Sequence, residues 1–142
     1  MAHKMSTAEW RAFVLEGTRT ANLAVSCKNG APHVVPVWFV LDGDDIVITT
    51  GRDSIKGKSI RRDGRVAVCV EDDRPPFSFV SIEGYATIVE DAAQLLHWAT
   101  KIASRYMGAD RAEEFGRRNA VPEELLVRIT PQHVVAIGGM TN

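Results

Sequence analysis

Between Arg52 and Arg65 the chain places six basic residues, Arg52, Lys56, Lys58, Arg61, Arg62 and Arg65, against two acids, Asp53 and Asp63. The stretch therefore stands at +4 in a chain whose formal net charge is −1. The hydroxyls of Thr49, Thr50 and Ser54 lie at its start. Hydroxyls and ammonium groups together donate to phosphate oxygens, and charge-assisted hydrogen bonds are the strong ones. Anion binding is the chemistry this set offers. The competing reading is a solvated cationic surface, and spacing alone does not choose between the two.

A second set lies upstream, in His33-Val-Val-Pro-Val-Trp-Phe-Val-Leu41. The run is apolar at consecutive positions where a half-exposed strand would alternate, so both of its faces call for cover. Pro36 removes a ladder donor, which implies an interruption or a sheet edge and an opening beside Val37 and Trp38. Trp38 and Phe39 then either flank a flat aromatic ligand or fill a core or a dimer contact. Cys27 and Cys69 sit in apolar strand-like settings and read as buried small hydrophobes with reduced thiols. The four histidines show no metal-ligand spacing, so no metal site is expected. Nucleotide-binding glycine motifs and a nucleophile elbow are absent as well.

The elements that must position these groups follow from pattern. Ser6-Thr-Ala-Glu9 has the form of a capping box, opening a helix that ends at Gly17. Residues 20–27 and 32–41 read as strands joined through Asn29-Gly30, and Asp42-Gly43-Asp44-Asp45 turns the chain into a strand at Ile46–Thr50. Asp53 or Ser54 then caps a helix running to about Asp63. Lys56 and Lys58 fall in or near its first turn, where free N–H groups and the helix dipole favour an anion. Lys58, Arg61 and Arg62 share one arc of this helix, while Ile55 and Ile60 are expected on the sheet side.

Further on, Val66–Glu71 and Phe77–Glu90 are strands, with Gly84 marking a bulge or bend in the second. Asp91 caps a helix whose apolar stripe includes Leu95, Trp98, Ala99, Ile102 and Tyr106. A short helix spans Asp110–Asn119, and Glu124–Gly139 is a last strand or bent pair broken at Pro131. The count is six strands with helices at the margin. The expected fold is mainly β, a barrel with flanking helices, in a single domain over residues 1–142 with residues 1–7 a flexible N-terminus.

Composition narrows the class. At 142 residues and 45% hydrophobic content one core is affordable and two are not. The nearly balanced charge argues against a nucleic-acid partner, although Phe77, Phe79 and Trp38 could stack on bases. The longest apolar run is too short to cross a bilayer and contains Pro36, and the N-terminus lacks a signal-peptide core. A cytoplasmic protein with no membrane partner is expected.

The order of motifs resembles a known family. Pro32-His-Val-Val-Pro-Val-Trp-Phe, then Ile-Val-Ile-Thr-Thr, then Ser54-Ile-Lys56-Gly-Lys58-Ser-Ile-Arg-Arg-Asp, then Val80-Ser-Ile-Glu-Gly84 is similar to the flavin-binding split-barrel family related to pyridoxamine phosphate oxidase. The likeness is strongest to its actinobacterial branch, whose members use the deazaflavin coenzyme F-420. It spans about residues 8–139. The resemblance implies a homodimer of six-stranded antiparallel split barrels with two cofactor sites at the interface. It implies a ring lying along Pro36, Val37, Trp38 and Phe39, and a phosphate against Thr49, Thr50, Ser54 and Lys56. Lys58 and Arg61 would reach the phosphate or the tail carboxylates.

Departures from the oxidases are informative. Ile55 and Val34 stand where the oxidases carry arginine, and Phe79 stands where they offer a glutamine to the ring. The substrate-binding Arg and His pair near the C-terminus is not evident. The implied activity is therefore not pyridoxamine phosphate oxidation. It is hydride transfer from reduced deazaflavin to a flat conjugated acceptor: a quinone, an enone or a tetrapyrrole-like compound. FMN is the second choice of cofactor, and an FMN-dependent oxidase or reductase the first rival. A non-catalytic module that stores cofactor or binds haem is the other. No side chain stands out as an acid, so no catalytic residue is assigned.

Overall fold

A computed structural model describes residues 1–142. Its strands are β1 (His3–Lys4), β2 (Ala21–Ser26), β3 (Pro32–Val37), β4 (Val40–Asp42), β5 (Asp45–Gly51), β6 (Arg65–Asp72), β7 (Ser78–Val89) and β8 (Glu124–Gly138). The helices are α1 (Thr7–Leu15), α2 (Ile55–Arg62), α3 (Ala92–Met107) and α4 (Ala112–Asn119). All strand pairs are antiparallel, in one sheet ordered β3-β2-β6-β7-β8-β5-β4 with β1 alongside β8. The molecule is mainly β with flanking helices, as the pattern implied.

Eight strands replace the expected six for two reasons. The run 32–41 divides at Trp38 and Phe39, and the N-terminus, expected to be flexible, adds β1. His3 and Lys4 pair with Gly138 and Ile137. Met5 N–H donates to the Ala136 carbonyl at 2.9 Å. This pairing uses the length of β8, because β5 covers it only from Glu124 to Ile129 and leaves its far end free for β1. β8 also runs through Pro131 without ending. Opposite Pro131 the register of β7 shifts between Glu83 and Gly84, which leaves Gln132 as the extra residue. Gly84 is required there because a Cβ would stand 2.8 Å from the Thr130 carbonyl oxygen.

The division of 32–41 has a tertiary cause. Phe39 leaves the ladder, and its backbone groups need partners. Its N–H donates to the Tyr106 hydroxyl at 3.2 Å, and its carbonyl accepts from the Arg105 guanidinium at 2.7 Å. The Tyr106 hydroxyl in turn donates to the Arg19 carbonyl at 2.7 Å. Arg105 donates further to the carbonyls of Val14 and Gly17. Two side chains at the end of α3 thus hold the break open. Since β3 and β4 are the two edges of the sheet and also consecutive in the chain, the sheet is split along the line between them.

The main core lies inside the sheet, with Leu23, Phe39, Ile48, Ile82, Leu125 and Ile129 among its buried members. A smaller cluster, Val47, Leu95 and Leu126, lies beneath α3. β5 serves both: Ile46 and Ile48 face the main core, and Val47 faces α3. β3 differs from expectation. Its apolar residues are not covered on both faces: Val34 is 61% exposed, and Pro36 and Trp38 are exposed beside it. No helix is long and apolar enough to cross a membrane.

Candidate functional site

The end of β5 and the start of α2 build the site from local rules. Ser54 caps α2 by accepting from Gly57 N–H at 3.0 Å, and its hydroxyl donates to the Gly51 carbonyl at 2.7 Å. Thr50, only 4% exposed, lies 3.3 Å from the same hydroxyl. Gly57 lets the helix settle onto the strand end, since a Cβ there would collide with the Gly51 carbonyl oxygen. These contacts aim the first turn of α2, with Lys56, at the open edge of the sheet. Ile60 packs in the core as expected, but Ile55 is 52% exposed and does not reach the sheet.

A groove of about 360 Å³ runs along this edge. Pro36, Val37 and Trp38 form one wall, and Thr49, Thr50, Gly51 and Lys56 form another. Ile102, Asn119 and Glu124 close it. Trp38 lies flat on Tyr106, with ring centroids 4.7 Å apart and planes 5° from parallel. One indole face is thereby fixed, and 43% of the residue is exposed. Burial pushes the Tyr106 hydroxyl above its usual range, so it stays a protonated donor.

Most of the basic stretch is engaged within the chain. Arg52 pairs with Glu90 at 3.5 Å, and Arg61 donates to the Arg52 carbonyl at 2.9 Å and lies 3.8 Å from Asp53. Arg62 donates to the Ser26 carbonyl at 2.6 Å. Arg65 clasps Asp63, holding that carboxyl down at about 2. Only Lys56 and Lys58 of the six have no side-chain hydrogen bond or ion pair in the chain. Lys56 faces the groove; Lys58 is exposed outside its lining.

Of the eleven residues expected at a cofactor site, six therefore converge: Pro36, Val37, Trp38, Thr49, Thr50 and Lys56. Ser54 stands behind them as the cap. Phe39 does not line the groove; it is fully buried, with the Arg105 guanidinium 4.6 Å above its ring. Lys58 and Arg61 lie outside the lining. Phe79, on β7, pairs with Glu71 and Ile137 and is not among the groove residues.

Glu124 was missed by the sequence reading. It pairs with Gly51 at the first position of β8, and partial burial raises its carboxyl above the usual 4.5 while Lys56 pulls the other way. This carboxyl shares the groove with the Lys56 ammonium group. The hydroxyls of Thr49 and Thr50 and the Lys56 ammonium group offer donors to a phosphate beside the open indole face, so the residues present fit an anionic, ring-bearing cofactor. In the sequence, Glu123 and Glu124 are indistinguishable; only the β5–β8 register turns one of them inward.

An antiparallel sheet split between its own edge strands, with hydroxyls, a free lysine and an exposed indole face along the split, defines the split-barrel class. The Pyridoxamine 5'-phosphate oxidase family matches residues 6–138, and the chain belongs to that family. A conserved hypothetical protein from Mycobacterium tuberculosis is similar, with 32% identity over 93% of this chain and 84% of that one, at a TM-score of 0.81. An F420 reductase shares the fold at 24% identity over 87% and 94% of the two chains, with a TM-score of 0.67. HutZ, the heme storage protein from Vibrio cholerae, shares it at 16% identity over 96% and 98%, with a TM-score of 0.75. No curated protein sequence matches.

Proposed function

We propose that this chain is an oxidoreductase that binds coenzyme F-420 in the groove between Trp38 and Lys56 and serves hydride transfer to a flat conjugated acceptor, a quinone, an enone or a tetrapyrrole-like compound. The observation that carries the reading is the convergence of an open indole face, two threonines and an unpaired lysine on one groove. When bound, the reduced deazaflavin supplies the hydride. Trp38, held flat by Tyr106, orients the ring and keeps water from that face. Lys56 and Thr49 hold the phosphate. Glu124 is the one acidic side chain lining the groove, and partial burial raises its carboxyl above the usual range. The likeness of Ser54-Ile-Lys56-Gly-Lys58-Ser-Ile-Arg-Arg-Asp to the deazaflavin branch supports the choice of cofactor.

FMN is the second reading, and one observation favours it: Lys56 is the sole cation lining the groove, which suits a single phosphate better than a tail of several carboxylates. A homodimer belongs to the same proposal. Val34, Pro36 and Trp38 leave an apolar strip on the edge strand β3 next to the groove, where a second copy would bury it and enclose the ring.

Titration of the purified protein with F-420 and with FMN, followed by fluorescence, is the test. The expected result is saturable binding of F-420, tighter than FMN and weakened in Lys56→Ala. Binding of neither overturns the redox reading. Binding of F-420 with no consumption of its reduced form across quinones and enones assigns the protein to cofactor storage.

A further inference from the structure

A cleft of about 480 Å³ opens between α3, the end of α1 and β4 with the turn that follows it. Trp98, Lys101, Ser104 and Arg105 lie on one arc of α3 and line this cleft, whereas Ile102, on another arc, lines the groove beside Trp38. Leu15, Val40 and Leu41 join the Trp98 indole to give the cleft its apolar surface. Its size is that of small-molecule sites, which span about 300–1,000 Å³.

Charge on the wall of this cleft is unbalanced. Arg105 is half-buried, and its three hydrogen bonds all go to backbone carbonyls, those of Val14, Gly17 and Phe39. Carbonyl dipoles satisfy N–H groups but do not cancel a unit charge, and buried charges are ordinarily paired. No carboxylate reaches Arg105, and burial, with the Arg19 charge nearby, weighs against its charged form. One turn earlier Lys101 is exposed and has no side-chain hydrogen bond or ion pair; its ammonium lies 6.0 Å from the Trp98 ring centroid. Asp42, the one carboxylate on the lining, is already held by Arg128, which also takes Asp45. Two cations without counter-ions therefore face an apolar cleft.

We infer that this cleft binds an amphipathic carboxylate, a small molecule whose anionic head pairs with Lys101 and Arg105 and whose hydrocarbon body lies on Leu15, Leu41 and Trp98. A bare inorganic anion would leave the apolar wall in water. A neutral hydrocarbon would bury the two cations further without pairing them, at a cost. A carboxylate on an apolar body meets both demands, and its two oxygens match the fork of a guanidinium. The cleft shares no lining residue with the groove, so this site stands apart from the redox reading.

The test is titration calorimetry of the full chain with sodium octanoate, with octanol and with sodium acetate. Octanoate is expected to bind at one site per chain, at least about tenfold tighter than octanol, which lacks the charge-assisted contact, and than acetate, which lacks the body. Lys101→Glu is expected to abolish the preference for octanoate over octanol. Should Lys101→Glu lower the thermal midpoint, Lys101→Gln carries the same test and is expected to reduce the preference several-fold. Lys56→Ala, in the groove, is expected to bind octanoate as the wild type does. Equal binding of octanoate and octanol, no binding of octanoate, or a preference that survives both substitutions of Lys101 overturns the assignment. So does loss of octanoate binding in Lys56→Ala with the preference intact in Lys101→Glu, which places the carboxylate in the groove. If F-420 and FMN both fail to bind while octanoate binds as expected, the redox reading falls and the carboxylate site stands.

Discussion

Lys56 is one residue among six cations, yet the four arginines spend their charge on the fold and Lys58 lies outside the groove. Arg62 is tied to Ser26 and Arg61 to Arg52, so the groove depends on Lys56 for charge. Lys56→Ala is expected to weaken binding of a phosphorylated cofactor by about 1.5–3 kcal/mol, the range for hydrogen bonds to charged groups. Arg62→Ala should leave cofactor affinity within about 0.5 kcal/mol of wild type in the same titration. Glu124 gives a pH prediction. Its folded value is raised, so in the folded state it retains a proton that the unfolded chain releases. Stability from this group is complete below its usual 4.5 and is lost as pH rises through the folded value. Glu124→Gln should therefore flatten the pH dependence of the thermal midpoint and be the more stable protein at neutral pH. Among the aromatics, the sequence identified Trp38 and Phe39 as a pair but not their division of labour. An apolar run without alternation does not say which member faces out, and the structure buries Phe39 while exposing Trp38.

At the scale of elements, α2 was legible and the strand break was not. Ser54 announces the helix start through local chemistry, and the observed cap uses that residue. The break between β3 and β4 depends on Arg105 and Tyr106, more than sixty positions away in the chain. Pro36 hinted at an edge, and β3 is an edge strand. The apolar stripe of α3 disclosed that Tyr106 points inward, but nothing local showed that its hydroxyl replaces a ladder partner. Tyr106→Phe should cost about 1–3 kcal/mol, because the Phe39 N–H and the Arg19 carbonyl lose their partner. Loosened Trp38 should weaken cofactor binding in the same variant, whereas a purely structural role would lower the midpoint of chemical unfolding alone. Gly57→Ala is expected to be the more damaging change at the site. Its methyl group meets backbone at Gly51 and Arg52, atoms that cannot swing aside, and overpacking of this kind costs about 1–3 kcal/mol while displacing Lys56.

For the molecule as a whole, the decisive feature is that one strand's apolar residues lack cover from their own chain. The sequence called for cover on both faces of 32–41, and the folded chain supplies it on one. The proposed homodimer has its test here: a charge set into the open strip, Val34→Glu, is expected to shift the proposed dimer to monomer in sedimentation velocity and to weaken cofactor binding with it, and a wild-type protein that sediments as a monomer overturns the dimer. The sheet's two edges are joined by only Trp38 and Phe39. A planar ring resting on Trp38 and anchored at Lys56 would span from β3 to the β5–α2 corner, bridging the seam like a splint. The amides of β3 and β4 should then exchange with deuterated solvent markedly more slowly once the protein is loaded, while those of β6 and β7, far from the seam, keep the rates they had before.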